Sequence, residues 1–383
     1  MKDTNFKILR FFLIISIVSL MIISIIIVFS ASVRISEILE KNWYSLGIKH
    51  VIKVILSGLI LYLASIVPYR LYKDKTRLGI ITVIILLILT LIFGVEKNGS
   101  VRSLNLYLVE IQPSILGIYA LIFHLASLIV SKGEKVKNFV TGYFPMLIWT
   151  SMVAILVMAQ PNFSTTMITV SIGLTMMFLG GTKLKHIMWT ILAFSPILIV
   201  YALIEPYRLE RILGYMSRLV NPTLTDPVPQ VRYAIYAIGS GGVFGIGVGR
   251  SRFRELFIPE SYSDFIFSII GEEFGFFGSV VILFFYSIIL YVGFKIVKNV
   301  NDEFGKLIAA GITILIGIYV ILNIYVVVGF LPVTGLPLPF LSYGGTALLA
   351  HSFGIGVLIN ISKGISSENS FTPKIVFNNE KQS

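Results

Sequence analysis

The sequence predicts an all-α integral membrane protein of about ten transmembrane helices, with a long extracytoplasmic loop between spans 7 and 8. Three observations carry that prediction. Hydrophobic residues make up 56% of the 383 residues and charged residues 13%, against about 25% charged in soluble domains. Several apolar runs reach about 18 residues or more, long enough for a helix across a hydrocarbon core of about 30 Å. Cysteine is absent, so disulfides, thiolate metal sites and thiol nucleophiles are not available.

Spans are expected at 11–30, 48–68, 78–94, 114–131, 140–159, 164–180, 186–204, 264–294, 307–329 and 345–361. The first follows Lys2, Lys7 and Arg10 and ends at Ser30-Ala31-Ser32, a combination a signal peptide also shows. Its apolar core exceeds the roughly 7–15 residues of a signal peptide, so it reads as a retained span. Connections after even-numbered spans carry Arg70, Lys73, Lys75 and Arg77, then Lys132, Lys135 and Lys137, then Lys183 and Lys185, then Lys295 and Lys298. The positive-inside rule then puts both termini in the cytoplasm. Much of the net charge of +12 is therefore topological, and no nucleic-acid partner is expected. The reading is one membrane domain over 1–361, with a flexible cytoplasmic tail at 362–383.

On the other side lie a medium loop at 95–113 and a large one at 205–263. The latter holds seven arginines and the glycine-dense stretch AIGSGGVFGIGVGRSRFRELFIPE, which cannot be one regular helix. Its apolar residues Ile235, Ile238, Val243 and Phe244 argue against disorder. The loop is expected to pack on the outer membrane surface as a lid or cavity wall.

The stretch SDFIFSIIGEEFG, 263–275, places Asp264, Glu272 and Glu273 in an acid-poor chain. With a span starting near Asp264, the glutamates lie ~12–13 Å deeper. A lipid-facing charge there costs at least ~2.5–3.5 kcal/mol, so they face protein, water or a cation. Asp264 suits a helix N-cap as well as a general base. The glutamates suit buried hydrogen-bond anchors as well as ligands. In LPVTGLPLPFLSYGGTALL, 331–349, three prolines rule out a continuous helix. Non-helical backbone at that depth must pack on protein or line a cavity. It is either an architectural re-entrant loop or a cavity wall that presents Ser342, Tyr343 and the Gly344-Gly345 amides. QPS at 112–114 and QPNFSTT at 160–166 start helices, while Gln112 and Gln160 are costly to bury unpaired. Arginine forks in the large loop suit lipid headgroups or a phosphorylated substrate.

Together AIGSGGVFGIGVG (237–249), DFIFSIIGEEFGFFG (264–278), QPS, QPNFST and LPVTGLPLPFLSYGG (331–345) resemble the SEDS family of bacterial envelope proteins, which includes FtsW, RodA and SpoVE. The motifs fall in family order over nearly the whole chain. The resemblance implies a multi-pass protein of the bacterial cytoplasmic membrane. Its implied activity is that of a peptidoglycan glycosyltransferase polymerising lipid II at the outer face, in division, shape maintenance or sporulation. It makes Asp264 the catalytic carboxylate, and implies a class B penicillin-binding protein transpeptidase as partner, alongside membrane lipids. The expected substrate-binding set is Arg102, Gln112, Ser114, Gln160, Asn162, Thr165, Arg211, Arg218, Arg250, Arg252, Glu272, Glu273, Ser342 and Tyr343. Of these, Arg102, Arg211, Arg218, Arg250 and Arg252 are the diphosphate candidates. No motif calls for a cofactor, and a divalent cation is left open. The sequence departs from the family at Asn162, Ile115, Ile118 and Val101-Arg102-Ser103, where acidic and basic residues or RRW are usual. A lipid II flippase and a catalytically weak scaffold that recruits a transpeptidase are the alternatives. The first is disfavoured because no inverted repeat is evident.

Overall fold

A computed structural model of the chain describes residues 2–97, 100–106, 109–220, 229–253, 258 and 261–370. Among them, nine helices are long and apolar enough to cross a membrane, and a shorter apolar helix, Phe163–Leu179, completes the expected ten. This is a multi-pass membrane protein.

The first two spans are α1, Lys2–Glu40, and α2, Ser45–Ile66. Helix α1 runs unbroken through Ser30-Ala31-Ser32, as a retained span does. Next come α3, Thr76–Phe93, α4, Pro113–Lys132, α5, Phe144–Ala159, α6, Phe163–Leu179, and α7, Leu184–Ile204. Proline stands in the first turn of α4, where its missing N–H costs nothing. The 95–113 connection folds into an antiparallel meander of β1, Val95–Lys97, β2, Ser100–Leu106, and β3, Val109–Ile111. The large loop contains α8, Pro206–Val220, and α9, Gln230–Ser240. The last spans are α10, Ile266–Asn299, α11, Glu303–Val327, and α12, Gly345–Ser370. Helix α12 thus continues past the expected boundary at 361, and the rest of the expected tail, 371–383, lies outside the described residues.

Alternate traversal sorts the connections into two ends. At the basic end, the Asn360 side chain accepts from the Tyr69 N–H at 2.9 Å and donates to the Ser65 carbonyl at 3.0 Å. This ties the turn after α2 to α12. The opposite end, called here the sheet end, gathers the meander, α8, the start of α10 and the 328–344 segment. The core runs through α4, α11 and α12, whose faces are the most thoroughly buried. Helix α7 is peripheral: Trp189, Leu192, Ile199 and Ile204 are all exposed.

The glycine-dense segment of the large loop, after α9, packs alongside the first turns of α10. The N–H groups of Ile246 and Gly247 donate to the carbonyls of Glu272 and Glu273 at 3.0 and 3.1 Å. Those of Phe276 and Phe277 donate to the carbonyls of Gly242 and Val243 at 2.9 and 3.1 Å. Gly275, with φ 68° and ψ −164°, breaks α10 at this level, about 14 Å from its start. Backbone groups orphaned by the break must find partners away from water, and the glycine segment supplies them. Gly241 and Gly245 pack directly on α10 backbone, where a side chain would collide. Phe244, 83% exposed, faces away from the protein.

Candidate functional site

Asp264 stands at the sheet end, half-buried, just before α10. It does not cap the helix: the N-cap is Phe265, with no side-chain cap bond. The Ser263 hydroxyl donates to Asp264 Oδ1 at 3.1 Å. Across from it lies Gly335, at φ +70°; a Cβ there would stand 3.3 Å from Asp264 Oδ2. Only glycine meets both conditions without strain, since this φ is poorly open to L side chains.

The backbone around the carboxylate is fixed by Asn323 of α11. Its amide donates to the carbonyls of Asp264 and Leu336, each at 2.8 Å, stapling the start of α10 to the 328–344 segment. Ser342 adds a second staple: its hydroxyl accepts from the Leu338 N–H and donates to the Ser263 carbonyl, both at 2.7 Å. From the core side, the Tyr286 hydroxyl donates to the Pro339 carbonyl. The next residue, Phe340, is held buried at φ +66°, a backbone region that costs a non-glycine residue of order 1–3 kcal/mol.

Contacts continue outward from Gly335. Arg211 of α8 donates to the Val333 carbonyl at 2.9 Å, and Ser164 of α6 to the Thr334 carbonyl at 2.6 Å. Arg102 of β2 donates to the Pro161 carbonyl at 2.6 Å. The amide N–H of Gln112 donates to Thr346 Oγ1 at 2.9 Å, which in turn donates to the Glu110 carbonyl at 3.2 Å. Asp264, Arg211, Arg102 and the 160–164 turn are thus joined through 333–335. Tyr343 is half-buried; its N–H donates to the Tyr262 carbonyl at 2.9 Å. The Lys53 ammonium stands 3.7 Å from its ring centre.

Several expected substrate contacts have other tasks. Glu272 and Glu273 are 1% and 2% exposed and anchor the glycine segment. Glu272 accepts from the Arg252 N–H at 2.8 Å and from the Ser251 hydroxyl. Glu273 accepts from Gly249 N–H at 3.1 Å and from Ser30 of α1 at 2.5 Å. Buried carboxylates need such donors, and the glycine segment brings them. Asn162 caps α6 through the Thr165 N–H at 3.3 Å, and the Thr165 carbonyl accepts from the Thr169 hydroxyl at 2.8 Å. Gln160 is buried, its amide donating to the Leu87 carbonyl at 3.1 Å, and Ser114 is fully buried. Ser342 is the staple just described rather than a cavity wall. The side chains of Arg250 and Arg252 are exposed, on the glycine segment. The side chain of Arg218 lies outside the described residues. No group of three or more His, Asp or Glu able to hold a metal occurs among the described residues.

The family model described as "Cell cycle protein", FtsW/RodA/SpoVE, matches residues 11–367. The chain belongs to this family. Its relatives include the stage V sporulation protein E of Bacillus subtilis, 32% identical over 90% of this chain and 94% of that one. Another is a probable peptidoglycan glycosyltransferase FtsW of Trichlorobacter lovleyi, 32% identical over 92% of this chain and 93% of that one. Among solved structures, a peptidoglycan synthase complex that coordinates polymerization and crosslinking contains a similar chain. Its TM-score is 0.73 at 23% identity, covering 92% of this chain and 96% of that one. The rod shape determining protein RodA of Thermus thermophilus gives 0.68 at 22%, covering 92% and 95%. These two likenesses establish the fold.

Sequence reasoning passed over Asn323, Gly335, Ser164, Tyr286 and Lys53. Two of them leave a signal: Asn323 and Lys53 are polar groups inside apolar spans, where they need partners.

Proposed function

We propose that the chain is a peptidoglycan glycosyltransferase that polymerises lipid II at the outer face of the bacterial cytoplasmic membrane, with Asp264 as general base. The observation that carries this reading is the placement of Asp264. Its half-buried carboxylate has no capping duty, and its backbone is stapled at 2.8 Å by Asn323 at the end of the bundle away from the basic loops. The family's named glycosyltransferases, at 32% identity, support the substrate class.

In this mechanism the 4-hydroxyl oxygen of a GlcNAc attacks the MurNAc anomeric carbon of a second lipid-linked chain. As that bond forms, the hydroxyl proton passes to Asp264. The bond from the anomeric carbon to the phosphate oxygen breaks, and undecaprenyl pyrophosphate leaves with the electron pair. A neutral alcohol needs the base, and a diphosphate leaving group is stabilised by guanidinium forks. Arg102 and Arg211 are the diphosphate residues in this reading, because both belong to the cluster around 333–335. Both termini lie in the cytoplasm, and a class B penicillin-binding protein supplies cross-linking. The flippase alternative loses its motive, since Glu272 and Glu273 serve as anchors.

The test is glycan-chain formation from lipid II by the purified protein, alone and with its transpeptidase. Asp264→Asn keeps the shape and removes the base, so polymerisation should fall by about 10²–10⁴-fold with an unchanged thermal midpoint. Wild-type rates in a folded Asp264→Asn variant would reject the assignment.

A further inference from the structure

A cavity of about 550 Å³ opens between α1 and α10 at the basic end, far from Asp264. Its walls are apolar: Phe6, Leu9 and Phe12 on one side, Phe284 and Ile288 on the other. One charged side chain lines it, Lys295, whose ammonium stands 5.3 Å from the Tyr291 ring centre. From Phe284 to Asn299 the groove follows α10 for about 22 Å. It is apolar towards the midplane and cationic where the helix ends.

The surroundings add the same sign of charge. Lys298 is exposed one turn from Lys295, and Lys7 and Arg10 flank the α1 wall. No carboxylate lines the groove among the described residues. On the α10 side the nearest acids in sequence are engaged elsewhere: Asp302 caps α11 through the Gly305 N–H at 2.8 Å, and Glu303 pairs with Lys306 at 3.5 Å. On the α1 side the side chain of Asp3 lies outside the described residues. Anionic lipid headgroups are drawn to such basic pockets between helices. A trough that is greasy along its length and positive at one end has the polarity of a single phospholipid.

We infer that the groove between α1 and α10 is a binding site for an anionic phospholipid, its phosphate at Lys295 and an acyl chain along Phe12, Phe284 and Ile288. The site is independent of the glycosyltransferase reading. It joins the first span to the helix whose opposite end positions Asp264.

Native mass spectrometry of the full chain tests this, with separate titrations of phosphatidylglycerol and phosphatidylcholine carrying the same acyl chains. Wild type should retain phosphatidylglycerol preferentially. Lys295→Gln should lower that retention about fivefold, while phosphatidylcholine is unaffected. Ile8→Trp, at an exposed position on the groove wall, should block both lipids. Lys135→Gln, at the same end of the bundle but outside the groove, should change neither. A thermal midpoint at the wild-type value certifies each variant as folded. Equal retention of the two lipids by wild type, or a preference that survives Lys295→Gln, overturns the inference. So does unchanged lipid retention in Ile8→Trp; if that variant also sheds a co-purifying single-span protein, the groove belongs to a partner helix instead.

Discussion

At Asp264 two small residues control the geometry. Gly335 combines φ +70° with an approach to the carboxylate that a Cβ would bring to 3.3 Å. Gly335→Ala should therefore cost roughly 1–2 kcal/mol of stability from the backbone alone. Its polymerisation rate should drop further than its thermal midpoint suggests, and equal rates for mutant and wild type would separate Gly335 from the site. Asn323→Ala removes two bonds and leaves two carbonyls without their donor, each worth roughly 1–3 kcal/mol when buried. The expected outcome is a lower melting temperature together with a reduced kcat, because the Asp264 backbone loses its staple. Glu40 provides a contrast. A hydrogen bond from Lys49 at 2.5 Å holds its carboxyl below the ordinary value. A depressed carboxylate stabilises only above its unfolded pKa and loses that contribution on acidification. Open to solvent, this pair is screened, so Glu40→Gln should leave the thermal midpoint at pH 7 unchanged.

Helix α10 and the glycine segment form one unit. The helix breaks at Gly275, the segment supplies the missing hydrogen bonds, and two buried glutamates hold the segment in place. A glutamine can still accept from Arg252 N–H through its oxygen and donate its NH2 to Ser251 Oγ, so Glu272→Gln should keep fold and polymerisation while Glu272→Ala loses both. Abolished activity in a stable Glu272→Gln protein would instead give this carboxylate a chemical role. The sequence left these glutamates open as anchors or ligands for a physical reason: their donors come from Ser30 and residues 249–252, whose approach no periodicity in the sequence reveals. Conversely, SDF at 263–265 suggests a cap because serine and aspartate favour helix starts. The helix begins later, at Ile266, which leaves the aspartate to other work.

For the molecule as a whole, the alternating spans define a basic end and a sheet end, and the positive-inside rule predicts that the basic end faces the cytoplasm. The natural absence of cysteine makes this directly measurable. An impermeant maleimide should label Asn105→Cys, at an exposed position of β2, in intact cells. It should reach Lys135→Cys only after permeabilisation. The reverse pattern would put Asp264 in the cytoplasm, where no outer-face polymerisation can occur. Ten spans were legible because crossing a hydrocarbon core demands about 20 apolar residues whatever the neighbours are. The meander at 95–111 was not, because short strands of mixed polarity carry little signal of their own.

The amino-acid sequence by itself determined the class, the span count, the basic end and the family motifs. Each depends on local chemistry: hydropathy over one helix length, charge beside its ends, or residues contiguous in the chain. Only the tertiary structure decided which polar groups are anchors and which face outward. It alone paired Glu272 and Glu273 with the glycine segment, set Asn323 and Ser342 behind Asp264, and opened a cationic groove between helices almost 300 residues apart in the chain. Partners for buried polar groups are set by packing between distant segments, and that information is not local to any stretch of sequence.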